Sequence, residues 1–376
     1  MVIIMNKLNF KNNLMIFMSL FAFTIISIIS IYSAQDLLSS SYNNLYVKQI
    51  LWYILGYICI IYLYNSKNNF LYKYSNILYI ISIISLILVL IFGTESNGAR
   101  CWFTIPGIGS IQPSEFVKIF LILSIAKELS KYDSKNYTRT FKNELTIIFK
   151  CFILTLIPSL LAFLEPDTGI VFIYFSILFV MLFVFGIRYR WFIISGLFLI
   201  LLIGGFLVLF FFFQDNFISI FGTNFFYRMD RILDWSNGSG MQLTNALAST
   251  GSAGLTGYGI SNTPIYFPEP QTDFIFSVFA SNFGFFGSIV LILITIFFDM
   301  QIIKIGIKSK NEYKYIISGI VAMLLFQQIQ NIGMNIGLLP ITGITLPFIS
   351  YGGSSLISYM IIIGIIVNIN KKENNE

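Results

Sequence analysis

Long apolar runs separated by short polar breaks dominate this chain. Ten of them have about the 20 residues needed to cross roughly 30 Å of hydrocarbon. They predict helices at 14–35, 46–64, 74–92, 114–129, 146–164, 168–187, 191–213, 273–300, 314–337 and 350–369. The fourth is short and carries Glu115 and Lys118, so hydropathy alone supports it least. The first is too long for the apolar core of a signal peptide and lacks a clean small-residue cleavage site, so it reads as a retained span. With no internal repeat, linker or soluble domain at either end, residues 1–376 read as a single transmembrane domain.

Composition agrees. Hydrophobic residues make up 56% of the chain and charged residues 11%, against about a quarter charged in soluble proteins; mean hydropathy is +0.81. The fold class expected is all-α, a polytopic integral membrane protein of about ten transmembrane helices.

Charge sets the expected orientation. With the N-terminus in the cytoplasm and sides alternating, the inner segments hold 18 of the 23 basic residues, among them Lys7, Lys67, Lys135, Arg139, Lys150, Arg188, Lys308 and Lys371. Lys48, Arg100, Arg228 and Arg231 fall outside, and Lys118 lies within a span. Dropping one span would invert half of these clusters, so positive-inside bias favours ten spans with both termini cytoplasmic. The acidic residues Asp36, Glu95, Glu165, Asp167, Asp215, Asp230, Asp234, Glu269 and Asp273 fall outside or at the outer boundary. So does the longest loop, about 214–272, with a weakly amphipathic stretch near 241–250. The net charge of +6 is spread between spans and predicts no nucleic-acid partner; the partner it predicts is the lipid bilayer.

Several chemistries drop out. There is no histidine, which removes Ser/His/Asp and Cys/His catalysis and most zinc sites. No GxxxxGK[ST] run occurs, so no nucleotide is expected. The three cysteines are far apart, and Cys59 and Cys151 read as small buried hydrophobes.

Four segments can carry chemistry. In 97–118, NGARCWFTIPGIGSIQPSEFVK, Glu115 and Lys118 share a helix face and can pair with each other. Arg100 suits a phosphate or carboxylate, or serves as an interfacial anchor. In EPDTG, 165–169, Asp167 can cap the next helix or bind substrate. In PEPQTDFIF, 268–276, Asp273 either caps a helix or, beside Glu269 at the rim of the hydrocarbon, acts as a general base or metal ligand. In 337–359, Ser354 and Ser355 follow a broken stretch that survives at membrane depth only against protein or a polar cavity; they can also bond helix to helix. These groups leave two classes open, an enzyme on a lipid-linked substrate and an ion-coupled carrier.

The motifs NGARCW, IQPSEFVK, EPDTG, PEPQTDFIF and LPFISYGGSSL, in that order, resemble signatures of the SEDS family (shape, elongation, division and sporulation), over essentially the whole chain. The resemblance implies a peptidoglycan glycosyltransferase polymerising lipid II at the outer face of the bacterial cytoplasmic membrane. It puts the essential carboxylate on Asp273. Arg100, Glu115, Lys118 and Asp167 match polar positions of the same cavity, with Glu269, Ser354 and Ser355 as further substrate-binding candidates. It also implies a divalent cation, Mg or Mn, with Asp273 a possible ligand; an undecaprenyl-diphosphate-linked glycan; and a class B penicillin-binding protein as transpeptidase partner. NIGMNIGLLPITGI is closer to the elongation (RodA) type than to the division (FtsW) type, and a sporulation paralogue would look similar. There are departures. Cys101 stands where a second basic residue is usual, Gln271 where histidine is frequent, and Ser281–Asn282 where a Glu pair is usual. A lipid II flippase or carrier, and a scaffold without activity, are the alternatives.

Overall fold

The computed structural model describes residues 10–38, 44–66, 70–96, 99–105, 109–134, 140–223, 235, 237–238 and 240–373. Lys7, Lys67, Lys135, Arg139, Arg228, Asp230, Arg231 and Asp234 lie outside the described residues.

Among the described residues, ten helices of 18 residues or more run in the expected order: α1 (Phe10–Gln35), α2 (Leu45–Asn65), α3 (Ser75–Phe92), α4 (Pro113–Ser134), α5 (Phe141–Leu164), α6 (Thr168–Phe185), α7 (Tyr189–Phe212), α8 (Ile275–Lys308), α9 (Asn311–Asn335) and α10 (Gly353–Glu373). Nine have the length and apolarity to cross a membrane, so the chain is a polytopic membrane protein. The tenth is α4. Its charged residues thin the hydropathy signal, yet it runs 22 residues and buries Glu115 and Lys118 along with Val117, Leu121 and Ile125. It packs on α3, α5, α6, α9 and α10 and so sits at the centre of the bundle. The weakest helix by hydropathy is among the most enclosed because its polar groups face protein, not lipid.

Local chemistry sets the helix ends. Pro113 opens α4, where its missing N–H costs nothing. Asp167 caps α6 by accepting from the Ile170 amide at 3.2 Å. Gly186, at φ 84°, closes α6 in the left-handed conformation. The α2 end carbonyls, which lipid would leave unpaired, are met by Asn368 Nδ2, at 2.8 Å from Leu63 O and 3.1 Å from Ser66 O.

Two elements depart from the expectation. Between the third and fourth predicted spans, where no regular element was expected, lies a small antiparallel sheet of β1 (Thr94–Ser96), β2 (Ala99–Ile105) and β3 (Gly109–Ile111), with Thr94 opposite Trp102 and Thr104 opposite Ser110. The all-α class therefore gains three short strands. The last helix begins at Gly353, not 350, because residues 337–352 form turns and extended chain packed into the bundle. Within the long loop between α7 and α8, helices form at Gln214–Phe221 and Met241–Ser252; the second matches the amphipathic stretch near 241–250.

Helix α8 breaks at Gly284 (φ 64°, ψ −161°). The break admits residues 254–259: the Tyr258 and Gly259 amides donate to the Ser281 and Asn282 carbonyls at 2.9 and 3.0 Å. Ser281 also receives the Ser249 hydroxyl at 3.1 Å, and Asn282 Oδ1 the Thr263 hydroxyl at 3.2 Å. Both residues are buried. Where a Glu pair is usual, this chain has two neutral groups that fasten residues 249–263. Helix α7 is peripheral. Its most apolar window buries nothing, and it is held near its start by Trp191, whose indole N–H donates to Glu144 at 2.9 Å.

Candidate functional site

Asp273 lies in the turn just before α8, half-buried; α9 holds its carbonyl, and residues 350–351 hold the two residues before it. Its carbonyl accepts from both Asn331 Nδ2 and Asn335 Nδ2 of α9, each at 2.9 Å. Asn335 Oδ1 in turn accepts from the Ser277 amide at 3.0 Å and the Ser277 hydroxyl at 2.7 Å. Asn331 Nδ2 also donates to Ile344 O at 2.8 Å. On the N-terminal side, Ser350 Oγ donates to Thr272 O at 2.7 Å and the Tyr351 amide to Gln271 O at 2.8 Å. Buried amides that satisfy several carbonyls at once are a means of rigid positioning.

Glu269 shapes the same turn. At φ 54°, its carbonyl accepts from the Phe274 amide at 3.1 Å. Its carboxylate accepts from Thr272 Oγ1 at 2.9 Å and Gln271 Nε2 at 3.0 Å. Gln271, where histidine is frequent, therefore orients Glu269.

The segment 340–346 joins this turn to a second polar group. Gly343, at φ 72°, brings bare backbone so close that a Cβ built on it would stand 3.7 Å from Asp273 Oδ2. One residue either way, Thr342 O and Ile344 pack on Gly169, where an added Cβ would meet both at 2.8 Å. Gly169 is in the first turn of α6, beside its cap Asp167. Asp167 Oδ2 accepts from Gln112 Nε2 at 2.8 Å, and the Gln112 amide donates to Ser354 Oγ at 3.2 Å. Burial raises the Asp167 carboxyl to about 6; the Ile170 amide works against that shift.

Beneath this group lies the ion pair. Lys118 Nζ is 2.6 Å from Glu115 Oε2, with Lys118 fully buried. Lys118 also sits over the Tyr359 ring at 4.9 Å, and Ser358 Oγ donates to Glu115 at 3.3 Å. Lys118 is enclosed, so any effect it has on an anion outside acts through its field and not by contact. Ser355 is turned to the Gly352 carbonyl at 3.2 Å, a helix-start bond.

Arg100 stands apart from these groups. It is exposed on β2, 3.7 Å from Glu95. Its neighbour Cys101 points the other way, buried, its thiol donating to Glu165 O at 2.9 Å. Glu165 is fully buried, and neither carboxyl oxygen has a hydrogen-bond partner among the described residues. Burial, with Asp167 nearby, raises it to about 8.

Sequence reading found the carboxylates and missed their fixings. Asn331 and Asn335 were legible as amides inside an apolar run, together with Gln327, Gln328 and Gln330; polar groups at membrane depth ask for partners whether or not they ionise. Among the described residues no three His, Cys, Asp or Glu side chains converge on one point.

Comparison with known proteins places these features in a wider set. The model of the FtsW, RodA and SpoVE family, described as "Cell cycle protein", matches residues 11–375. Stage V sporulation protein E of Bacillus subtilis (strain 168) is 34% identical over 339 residues, 86% of each chain. The probable peptidoglycan glycosyltransferase FtsW of Coxiella burnetii is 36% identical over 317 residues, 80% of each chain. Among solved structures, a chain from work on structural coordination of polymerization and crosslinking by a peptidoglycan synthase complex aligns with TM-score 0.75 and 25% identity, covering 96% of this chain and 98% of that one. The rod shape determining protein RodA of Thermus thermophilus aligns with TM-score 0.67 and 26% identity, covering 96% of this chain and 97% of that one. These relatives span sporulation, division and rod-shape proteins, so they set the family and not the branch.

Proposed function

This chain belongs to the FtsW, RodA and SpoVE family, and from that membership we propose that it is a peptidoglycan glycosyltransferase polymerising lipid II into glycan strands. The observation that carries the assignment to a site is the fixed turn at Asp273, a carboxylate beside bare backbone at Gly343 and held by Asn331 and Asn335.

In this reading both termini are cytoplasmic and Asp273 opens on the outer face, as the distribution of basic residues favours. The Asp273 carboxylate accepts the proton of the acceptor sugar's 4-hydroxyl. The freed oxygen pair attacks the donor's anomeric carbon, the bond to the diphosphate breaks, and undecaprenyl diphosphate leaves with its electrons. Two amide clamps hold the base in place, which is where positioning contributes most to rate. Arg100, exposed on the hairpin, is suited to pair two diphosphate oxygens, exchanging its 3.7 Å contact with Glu95 for them. Asp167, Gln112 and Ser354 form a polar wall for the sugars.

A divalent cation, Mg or Mn, suits the donor set. Asp273 supplies one hard oxygen, and Mg²⁺ is commonly held by one or two carboxylates with substrate phosphates and water; such an ion would neutralise diphosphate charge. A class B penicillin-binding protein is the partner proposed, from the synthase complex whose chain this one resembles. The run 331–344, closest to the elongation type, supports a role in elongation; rounded cells on depletion agree with it, and filaments oppose it.

The test is polymerisation of labelled lipid II by purified protein, with and without divalent cation and partner. Wild type makes long glycan and Asp273→Ala makes none. A fully active Asp273→Ala variant removes the site assignment. The buried Glu115–Lys118 pair favours one other reading, an ion-coupled lipid carrier. That reading requires lipid II movement across vesicles without polymer.

A further inference from the structure

Helices α3, α4 and α5 part at the end of the bundle where α1 begins and α10 ends, leaving a crevice of about 450 Å³. That volume is typical of a small-ligand site. Its walls are apolar and reach the lipid: Ile80 and Phe149 are both exposed on the outer surface. Tyr79 presents only its ring, because its hydroxyl already donates to Leu154 O at 2.6 Å.

The polar groups in the crevice are few. Glu128 is paired with Lys131. Ser124 is 2% exposed and its hydroxyl has no partner among the described residues. A mid-helix serine ordinarily bonds back to a carbonyl one turn earlier, so an unpaired one lining a cavity asks for an acceptor or donor from outside the protein. Lys150 contributes the net charge. It lies 5.3 Å from the Tyr132 ring centre, and among the described residues no carboxylate is within ion-pair range. Asn76 adds an amide at the mouth.

We propose that this crevice binds one anionic phospholipid, with the headgroup phosphate at Lys150 and Asn76, the glycerol ester region at Ser124, and an acyl chain between α3 and α5. A cation at the rim, an orphan hydroxyl below it and an apolar slot open sideways to the bilayer match the order of groups along a lipid. A soluble phosphate would use only the first of these. The site is separate from the Asp273 turn and does not depend on the reaction proposed there.

Native mass spectrometry of the detergent-solubilised protein, titrated with phosphatidylglycerol and with phosphatidylcholine, tests it. Wild type should retain phosphatidylglycerol about fivefold more tightly, the scale of one basic residue at a membrane surface. Lys150→Gln should remove that preference and Lys150→Arg keep it; Lys308→Gln, at the same end of α8 and off the crevice, should leave it unchanged. Ser124→Phe, with an unaltered melting temperature, should weaken binding of both lipids by filling the slot. A wild type without preference, or a preference that survives Lys150→Gln, overturns the proposal. Equal binding of free glycerol phosphate overturns its lipid part.

Discussion

The side-chain amide of Asn335 donates to the main-chain carbonyl of Asp273 at 2.9 Å while its Oδ1 accepts from the Ser277 amide and hydroxyl. One residue of α9 thereby fixes the turn that presents Asp273 and the first residues of α8. Asn335→Ala leaves the Ser277 amide buried and unpaired, a loss of about 1–3 kcal/mol. It also frees the turn, and displacement of a reacting group by about 1 Å costs on the order of 10²-fold in rate. Asn335→Asp keeps the acceptor and removes the donor. Lipid II polymerisation is expected to fall strongly in both variants, and the melting temperature to fall more in Asn335→Ala. A fully active Asn335→Ala contradicts the positioning role.

Gly343→Ala tests the close approach on the other side of the carboxylate. The φ of 72° is unfavourable for an L side chain by about 1–2 kcal/mol. The new methyl group would stand against Asp273 Oδ2. The expected result is a loss of activity far larger than the modest drop in melting temperature, measured on the same preparation.

The ion pair inside α4 predicts non-additivity. Lys118→Met leaves Glu115 buried without its charge partner, a cost of about 3–5 kcal/mol, whereas replacing both partners by apolar groups is often close to neutral. The double variant Glu115→Leu/Lys118→Met should melt above Lys118→Met. Its activity reports separately whether the pair's field matters to the Asp273 site. Additive losses would mean that the pair is not coupled.

Glu165 predicts a pH dependence of stability. Its carboxyl is raised from the ordinary 4.5 to about 8 in the fold. Between those values the folded state holds a proton that the unfolded state has released, so stability falls as pH rises from about 4.5 to 8. Glu165 contributes at most about 1.4 kcal/mol per pH unit. Asp167, raised to about 6, adds to the decline below that value, so melting in detergent should show a decline that Glu165→Gln flattens between about pH 6 and 8. Cys101→Arg, placing a cation beside the acid, should reverse its sign. An unchanged slope in Glu165→Gln would remove the acid from this account.

Hydropathy and charge along the chain were enough for the solvent, the long helices and their order. Hydrocarbon demands about 20 apolar residues per crossing, and that demand is written locally. The same patterns also marked Asp167, Glu269, Asp273 and the Glu115–Lys118 spacing, since ionisable groups near lipid are costly wherever they occur. What each one touches came from the packing of the helices in three dimensions. Arg100 and Cys101 are neighbours in sequence, yet β2 sends one outward and the other onto Glu165. Ser281 and Asn282 read as a lost acid pair, and packing makes them the fastening of residues 249–263. Asn331 and Asn335 lie about 60 residues from the turn they hold, and Gly343 about 70 from Asp273. Such contacts follow from how helices pack, and no periodicity along the chain encodes the partner of a buried amide.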